Sequence, residues 1–149
     1  MKKLTCSLLL GLTAAASVWA GTPLWMRDVR ISPDGTQIAF CYKGDLYKVN
    51  AQGGEAVRLT SQSSYESSPV WSPDGKQIAF ASDRYGNMDV FVMPADGGSA
   101  KRLTYNSASE VPTAFSPDGK KVYFNAALQD PASSALFPTS AMTELYAVP

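Results

Sequence analysis

A nine-residue phrase is written three times in this 149-residue chain: SPDGTQIAF from Ser32, SPDGKQIAF from Ser72 and SPDGKKVYF from Ser116. The three starts lie 40 and 44 residues apart. Repetition at that interval constrains the fold more than any other feature, because each unit is too small to bury its own apolar faces and must stack beside its copies. The repeat extends beyond the phrase. DLYKV from Asp45, DVFVM from Asp89 and ELYAV from Glu144 form one further shared segment, and QGGEAVRLT and DGGSAKRLT form another. From Thr60 to Ser72 and from Thr104 to Ser116 the gap is 12 residues in both cases.

Within a unit apolar residues alternate, as at Ile38 and Phe40, Ile78 and Phe80, and Val122 and Phe124. Alternation of β-branched and aromatic residues predicts half-buried strands. LYKV, VFVM and LYAV predict a third strand per unit, AVRLT and AKRLT a fourth, and a first strand ends at Ile31, Trp71 or Phe115. Turn chemistry fits between them. Proline presets φ, aspartate bonds nearby backbone amides and glycine accepts positive φ, so each Pro-Asp-Gly reverses the chain between first and second strands. Gly53-Gly54 and Gly97-Gly98 do so between third and fourth, and DRYGN links second and third. Four antiparallel strands every forty-odd residues is the period of a β-propeller blade, and the predicted fold is an all-β, incomplete propeller. Trp71 and Phe115 are expected to pack between blades.

The expected organisation is a signal peptide over 1–20, one blade over 21–61, a second over 62–105, and an incomplete third over 106–149 with a long loop at 126–143. Lys2 and Lys3 followed by the apolar run Leu8–Val18 predict export, because that run is too short to span a bilayer. Removing it leaves Cys41 as the single cysteine, so packing rather than a disulfide must hold the domain, and 11 basic residues face 13 acidic ones. No basic run remains to suggest nucleic acid. The third unit, which ends after its third strand, is expected to belong to a longer protein. Its span from Ser116 to Leu145 is 29 residues, against 18 from Ser72 to Val90, and the added segment reads either as a lid or docking surface or as a passive loop over a blade edge.

Three acids recur in the turns, Asp34, Asp74 and Asp118. Equivalent turns of separate blades spread around a ring, so a turn role is expected rather than a metal or acid–base set. Asp45, Asp89 and Glu144, ahead of the third strands, are the better candidates for a polar function near a channel mouth, although a hairpin role is favoured for them too. The chain has no histidine and no Gly-x-Ser-x-Gly, so no Ser–His pair can be assembled from it. Histidine–cysteine metal sites and phosphate loops fail likewise. No catalytic, cofactor-binding or metal-binding residue is expected.

SPVWSPDGKQIAFASDRYGNMDVFVMPADGGSAKRLT resembles the propeller repeat shared by TolB-like proteins, prolyl-oligopeptidase relatives and tricorn-like proteases. Pro23-Leu24-Trp25, CYKGDLYKV, RLTYNSASEVP and QDPASSALFPTSAMTELYAVP are most similar to exported tricorn-like serine peptidases. That resemblance implies a propeller ahead of a PDZ-like domain and a serine peptidase core of the C-terminal-processing type, with the propeller guiding peptide substrates and the catalytic residues far downstream. It also implies downstream domains and peptides as partners, with homo-oligomerisation of the parent left open, while the signal-peptide pattern departs from the cytosolic members and points to an exported, periplasmic version. A TolB-like protein-binding propeller and a prolyl-oligopeptidase-type enzyme are the alternatives. The first normally carries an α/β domain before its propeller, which Gly21-Thr22 leaves no room for, and the second a downstream Gly-x-Ser-x-Gly.

Overall fold

The computed structural model describes residues 25–127 and 143–149. The segment expected to be a signal peptide and nearly all of the 126–143 loop lie outside the described residues. What is described is all-β. Strands β1 (Arg27–Ile31), β2 (Gln37–Tyr42), β3 (Asp45–Asn50) and β4 (Val57–Arg58) form one antiparallel sheet in chain order. A second sheet repeats it with β5 (Glu66–Trp71), β6 (Gln77–Ser82), β7 (Asp89–Pro94) and β8 (Lys101–Arg102). The third holds β9 (Glu110–Phe115), β10 (Val122–Ala126) and β11 (Glu144–Val148). The strand pattern expected from the alternation is therefore observed.

Each Ser-Pro-Asp-Gly turn builds the same clasp. Ser72 Oγ donates to Asp74 Oδ1 (2.6 Å) and accepts from the Gln77 amide (2.9 Å), while the Lys76 amide donates to Asp74 Oδ1 (3.1 Å). Ser32 with Asp34 and Ser116 with Asp118 repeat these bonds. Gly75 closes the turn at φ +70°, a left-handed conformation open to glycine without steric penalty. The serine hydroxyl and then the backbone amide hold the Asp34, Asp74 and Asp118 carboxyls below their ordinary value.

The first strands lie innermost. β1 packs on β5 and β5 on β9, whereas the short fourth strands touch mainly their own sheets. Each first strand is bulged, between Arg27 and Arg30, between Ser67 and Val70, and opposite Tyr123 and Phe124. Asp28 and Ser68 take positive φ there, and the Ser68 amide donates to Asp28 Oδ2 across the two sheets (3.1 Å). Such bulges increase local twist, which lets inner edges approach while the sheets splay outward.

Two apolar seams join the sheets. Ala39, Cys41 and Leu46 of the first meet Ile78, Phe80, Phe91 and Met93 of the second. Val70, Ala79 and Val90 of the second meet Val122, Phe124 and Ala126 of the third. Trp71 packs on the first seam and donates through Nε1 to Arg30 O (3.1 Å), and Phe115 packs on the second, as their sequence positions predicted. Burying one such ring contributes about 1.5–3 kcal/mol. Cys41 is a buried filler, and burial pushes its thiol up to about 12.

Candidate functional site

The turns divide the molecule into two ends. At one end lie the Pro-Asp-Gly clasps and the paired-glycine turns. Neighbouring clasps sit side by side, and Asp74 and Asp118 line a shallow cavity of about 360 Å³ between them. Their carboxylates are committed to their own turns, so the expected turn role holds and the three do not converge on one site.

The opposite end gathers the buried carboxylates of the described residues, Asp45, Glu66, Asp89 and Glu110. Register explains why. Glu66, Ser82 and Asp89 are direct partners across β5, β6 and β7, and opposed residues project from the same face of a sheet. All three are fully buried. Glu66 Oε1 accepts from Ser64 Oγ (2.5 Å), Ser82 Oγ (3.0 Å) and Arg84 Nη2 (3.3 Å). Its Oε2 accepts from Thr60 Oγ1 (2.9 Å), which reaches in from the preceding unit and itself accepts from the Leu46 amide (2.9 Å). The Arg84 guanidinium lies over the Phe91 ring at 4.4 Å and bonds Ser82 Oγ through Nε. Asp89 has its own cation, Arg102 Nη2 at 2.7 Å.

Asp45, Asp89 and Glu144 open the third strands, as expected, but two of them do more than shape a hairpin. Asp45 is paired to Arg58 Nη2 at 2.6 Å, and Asp89 to Arg102. The arginines are those of the recurring Arg-Leu-Thr, so the acid and its counter-ion repeat together. Glu144 is exposed and accepts from Tyr146 Oη (2.9 Å). Glu66 and Glu110, both wholly buried, were not singled out from the sequence. A signal was present, since each follows an Arg-Leu-Thr threonine by six residues.

Beside the Glu66 network a cleft of about 410 Å³ opens between the first and second sheets, lined by Ser61, Gln62, Arg84, Tyr85, Ser99 and Arg102 among others. Of its lining, Tyr85, Phe91 and Arg102 belong to a ladder of flat groups that continues outside the cleft to Phe80 and Tyr105. Phe80 stacks on Phe91 (5.8 Å) and Phe91 on Tyr85 (6.1 Å), and the Arg102 guanidinium lies 4.6 Å from both Tyr85 and Tyr105. Tyr85 and Tyr105 are 64% and 71% exposed, large rings at the surface that share one arginine as neighbour. Such a surface offers contact area and hydrogen-bonding tips at low conformational cost, the chemistry of polypeptide recognition. No cluster of three potential metal ligands occurs among the described residues.

A family model of the tricorn protease N-terminal β-propeller domain matches residues 23–148. Among curated proteins, a TolB homologue from Chlorobium luteolum is 36% identical over 71 residues, covering 48% of this chain and 16% of its own length. The uncharacterized peptidase YuxL from Bacillus subtilis is 39% identical over 71 residues, covering 44% and 11%. The chain thus spans less than a fifth of either relative's length. Among solved structures, TolB from Acinetobacter baumannii superposes with a TM-score of 0.61 at 25% identity, over 81% of this chain and 29% of that one. The tricorn protease superposes with a TM-score of 0.60 at 23% identity, over 70% and 11%, a likeness of fold. With three repeated antiparallel sheets joined along their inner strands and a family match over almost all the described residues, the chain belongs to the tricorn protease N-terminal β-propeller domain family.

Proposed function

We propose that this chain is the non-catalytic N-terminal propeller portion of an exported, tricorn-like serine peptidase, and that it docks or gates peptide substrates for a downstream peptidase core. The observation that carries the proposal is the cleft beside the Glu66 network, lined by Tyr85 and Arg102, with exposed Tyr105 against the same arginine just outside it, a surface that suits an extended polypeptide. Chemistry is assigned elsewhere in the parent, since these 149 residues contain no histidine to activate a serine. Export, with a periplasmic destination, rests on the basic and apolar pattern before Gly21. The test is kinetic. In the full-length parent, Y85A and Y105A should raise KM for long peptides severalfold, leave kcat unchanged, and leave cleavage of short chromogenic peptides untouched. A fall in kcat alone, or no peptide hydrolysis by the parent, would remove the docking assignment.

A second reading is supported by the TolB relatives in sequence and structure: a propeller that binds protein partners without hydrolysis. It predicts a parent with no peptidase activity that retains a stable protein partner through the same cleft.

A further inference from the structure

An aspartate followed by glycine can turn on its own backbone, because glycine has no Cβ to keep the next amide away from the side-chain carboxyl. The chain holds four such pairs, Asp34-Gly35, Asp74-Gly75, Asp96-Gly97 and Asp118-Gly119. All four acids are exposed. In all four turns the glycine amide donates to a main-chain oxygen. Gly35, Gly75 and Gly119 donate to the clasp serine carbonyl (2.8–2.9 Å), and Gly97 donates to Pro94 O (3.0 Å). Neither solvent access nor the amide separates the four turns. The carboxyl does.

In each clasp the carboxyl is tied twice within its own turn. Asp74 Oδ1 accepts from Ser72 Oγ (2.6 Å) and from the Lys76 amide (3.1 Å), and Asp34 and Asp118 make the same two bonds. Those bonds fix where the side-chain carbon lies, and cyclisation requires that carbon to meet the next nitrogen in a narrow range of geometry. They also keep the group ionised to lower pH than usual, and an ionised carboxylate has no hydroxyl to lose. Asp96 lies in the turn between β7 and β8, where Pro94 stands two residues ahead in place of the serine. Its side chain is 98% exposed, and among the described residues its one bond is from Lys48 Nζ of the first sheet (2.9 Å). A solvent-facing pair of that kind imposes little fixed geometry.

We propose that Asp96 is the chain's site of spontaneous isoaspartate formation, and that the clasp serines shield the other three Asp-Gly pairs from the same change. With the Asp96 carboxyl protonated, the Gly97 nitrogen attacks Cγ. A C–N bond forms, and the carboxyl hydroxyl leaves as water with the amide proton. Water then adds to the Asp96 main-chain carbonyl, the original peptide C–N bond breaks, and the backbone runs on through Cγ with the α-carboxyl free. Nothing is oxidised or reduced, and water is the one co-reactant. The product lengthens the turn by one carbon and moves the carboxylate away from Lys48, whose bond ties the first sheet to the second. The inference is independent of whether the parent hydrolyses peptides.

The experiment keeps the folded full-length protein for weeks in oxygen-18 water at mildly acidic pH and body temperature. Digestion and electron-transfer mass spectrometry then separate isoaspartate from aspartate, and each ring opening leaves one solvent oxygen in the residue. Asp96 should label at least about tenfold faster than Asp34, Asp74 and Asp118, a modest ratio where about 1 Å of misplacement can change a rate about 100-fold. In urea, with the clasps undone, all four should label at similar rates, a comparison that needs no variant. S72A, shown by its melting curve to be folded, should speed labelling at Asp74 and leave Asp118 unchanged, whereas S72T keeps the hydroxyl and should keep Asp74 slow. D96E, which would have to close a larger ring, should show no label at that position. Equal labelling of the four in the folded protein overturns the proposal, as does faster labelling in any clasp or no label at Asp96. So does a folded S72A in which Asp74 reacts no faster, or a urea series that keeps the folded ranking.

Discussion

Glu66 and Glu110 occupy one position in two successive repeats, each buried at the start of an inner strand, and they live in opposite surroundings. Among the described residues Glu66 has four side-chain donors, and Glu110 has one. The difference teaches that a repeat preserves geometry more strictly than electrostatics. The strand register that buries the acid comes from alternation and turns, which all units share. The counter-ions come from a few positions near strand ends, which are free to change without altering the register.

That contrast can be broken by experiment, and the largest effect should come at the satisfied acid. E66A leaves Arg84 buried against hydroxyls with no anion, which should lower unfolding free energy in urea by about 3–5 kcal/mol. E110A removes one satisfied and one unsatisfied oxygen, and a loss near 1 kcal/mol is expected. Equal losses would show that the two acids are energetically alike. The clasps supply a control that all repeats share. S72A deprives the Gln77 amide and Asp74 of their partner, and it should cost about 1–2 kcal/mol, with S116A costing the same.

A smaller gain should follow A126S, which puts a hydroxyl opposite Glu110 where Ser82 stands opposite Glu66. Stabilisation by about 0.5–1.5 kcal/mol in the same urea assay would sharpen the comparison, and destabilisation would mean that Glu110 needs no donor. The smallest effect concerns pH. Asp34, Asp74 and Asp118 have folded values below the ordinary 3.8, so their contribution is present above that value and fades as pH falls through the lower folded one. Stability should therefore slope downward below about pH 4, and D74N should flatten the slope; an unchanged acid limb in D74N would refute the clasp's role.

Much of this architecture was legible in the amino-acid order. Alternation at Ile78 and Phe80, the Pro73-Asp74-Gly75 corner and the paired glycines each act over a few residues, and their consequences are local. Ser72 and Asp74 meet because they are two apart. The candidate site was less legible. Asp45 and Asp89 were noticed for their repetition, but their ion pairs with Arg58 and Arg102 bridge third and fourth strands and depend on register. Glu66 was passed over because a charged residue at a strand start ordinarily faces water.

By itself the sequence determined the strands, their order and the repeat that stacks them, because each follows from short-range sterics and from apolar periodicity. Only the tertiary structure decided which acids are buried and which cations answer them. Thr60 reaches Glu66 from the preceding unit, and Arg84 reaches it from beyond the end of the neighbouring strand. Electrostatic balance is a property of side chains brought together across sheets, and no single segment of the chain contains it.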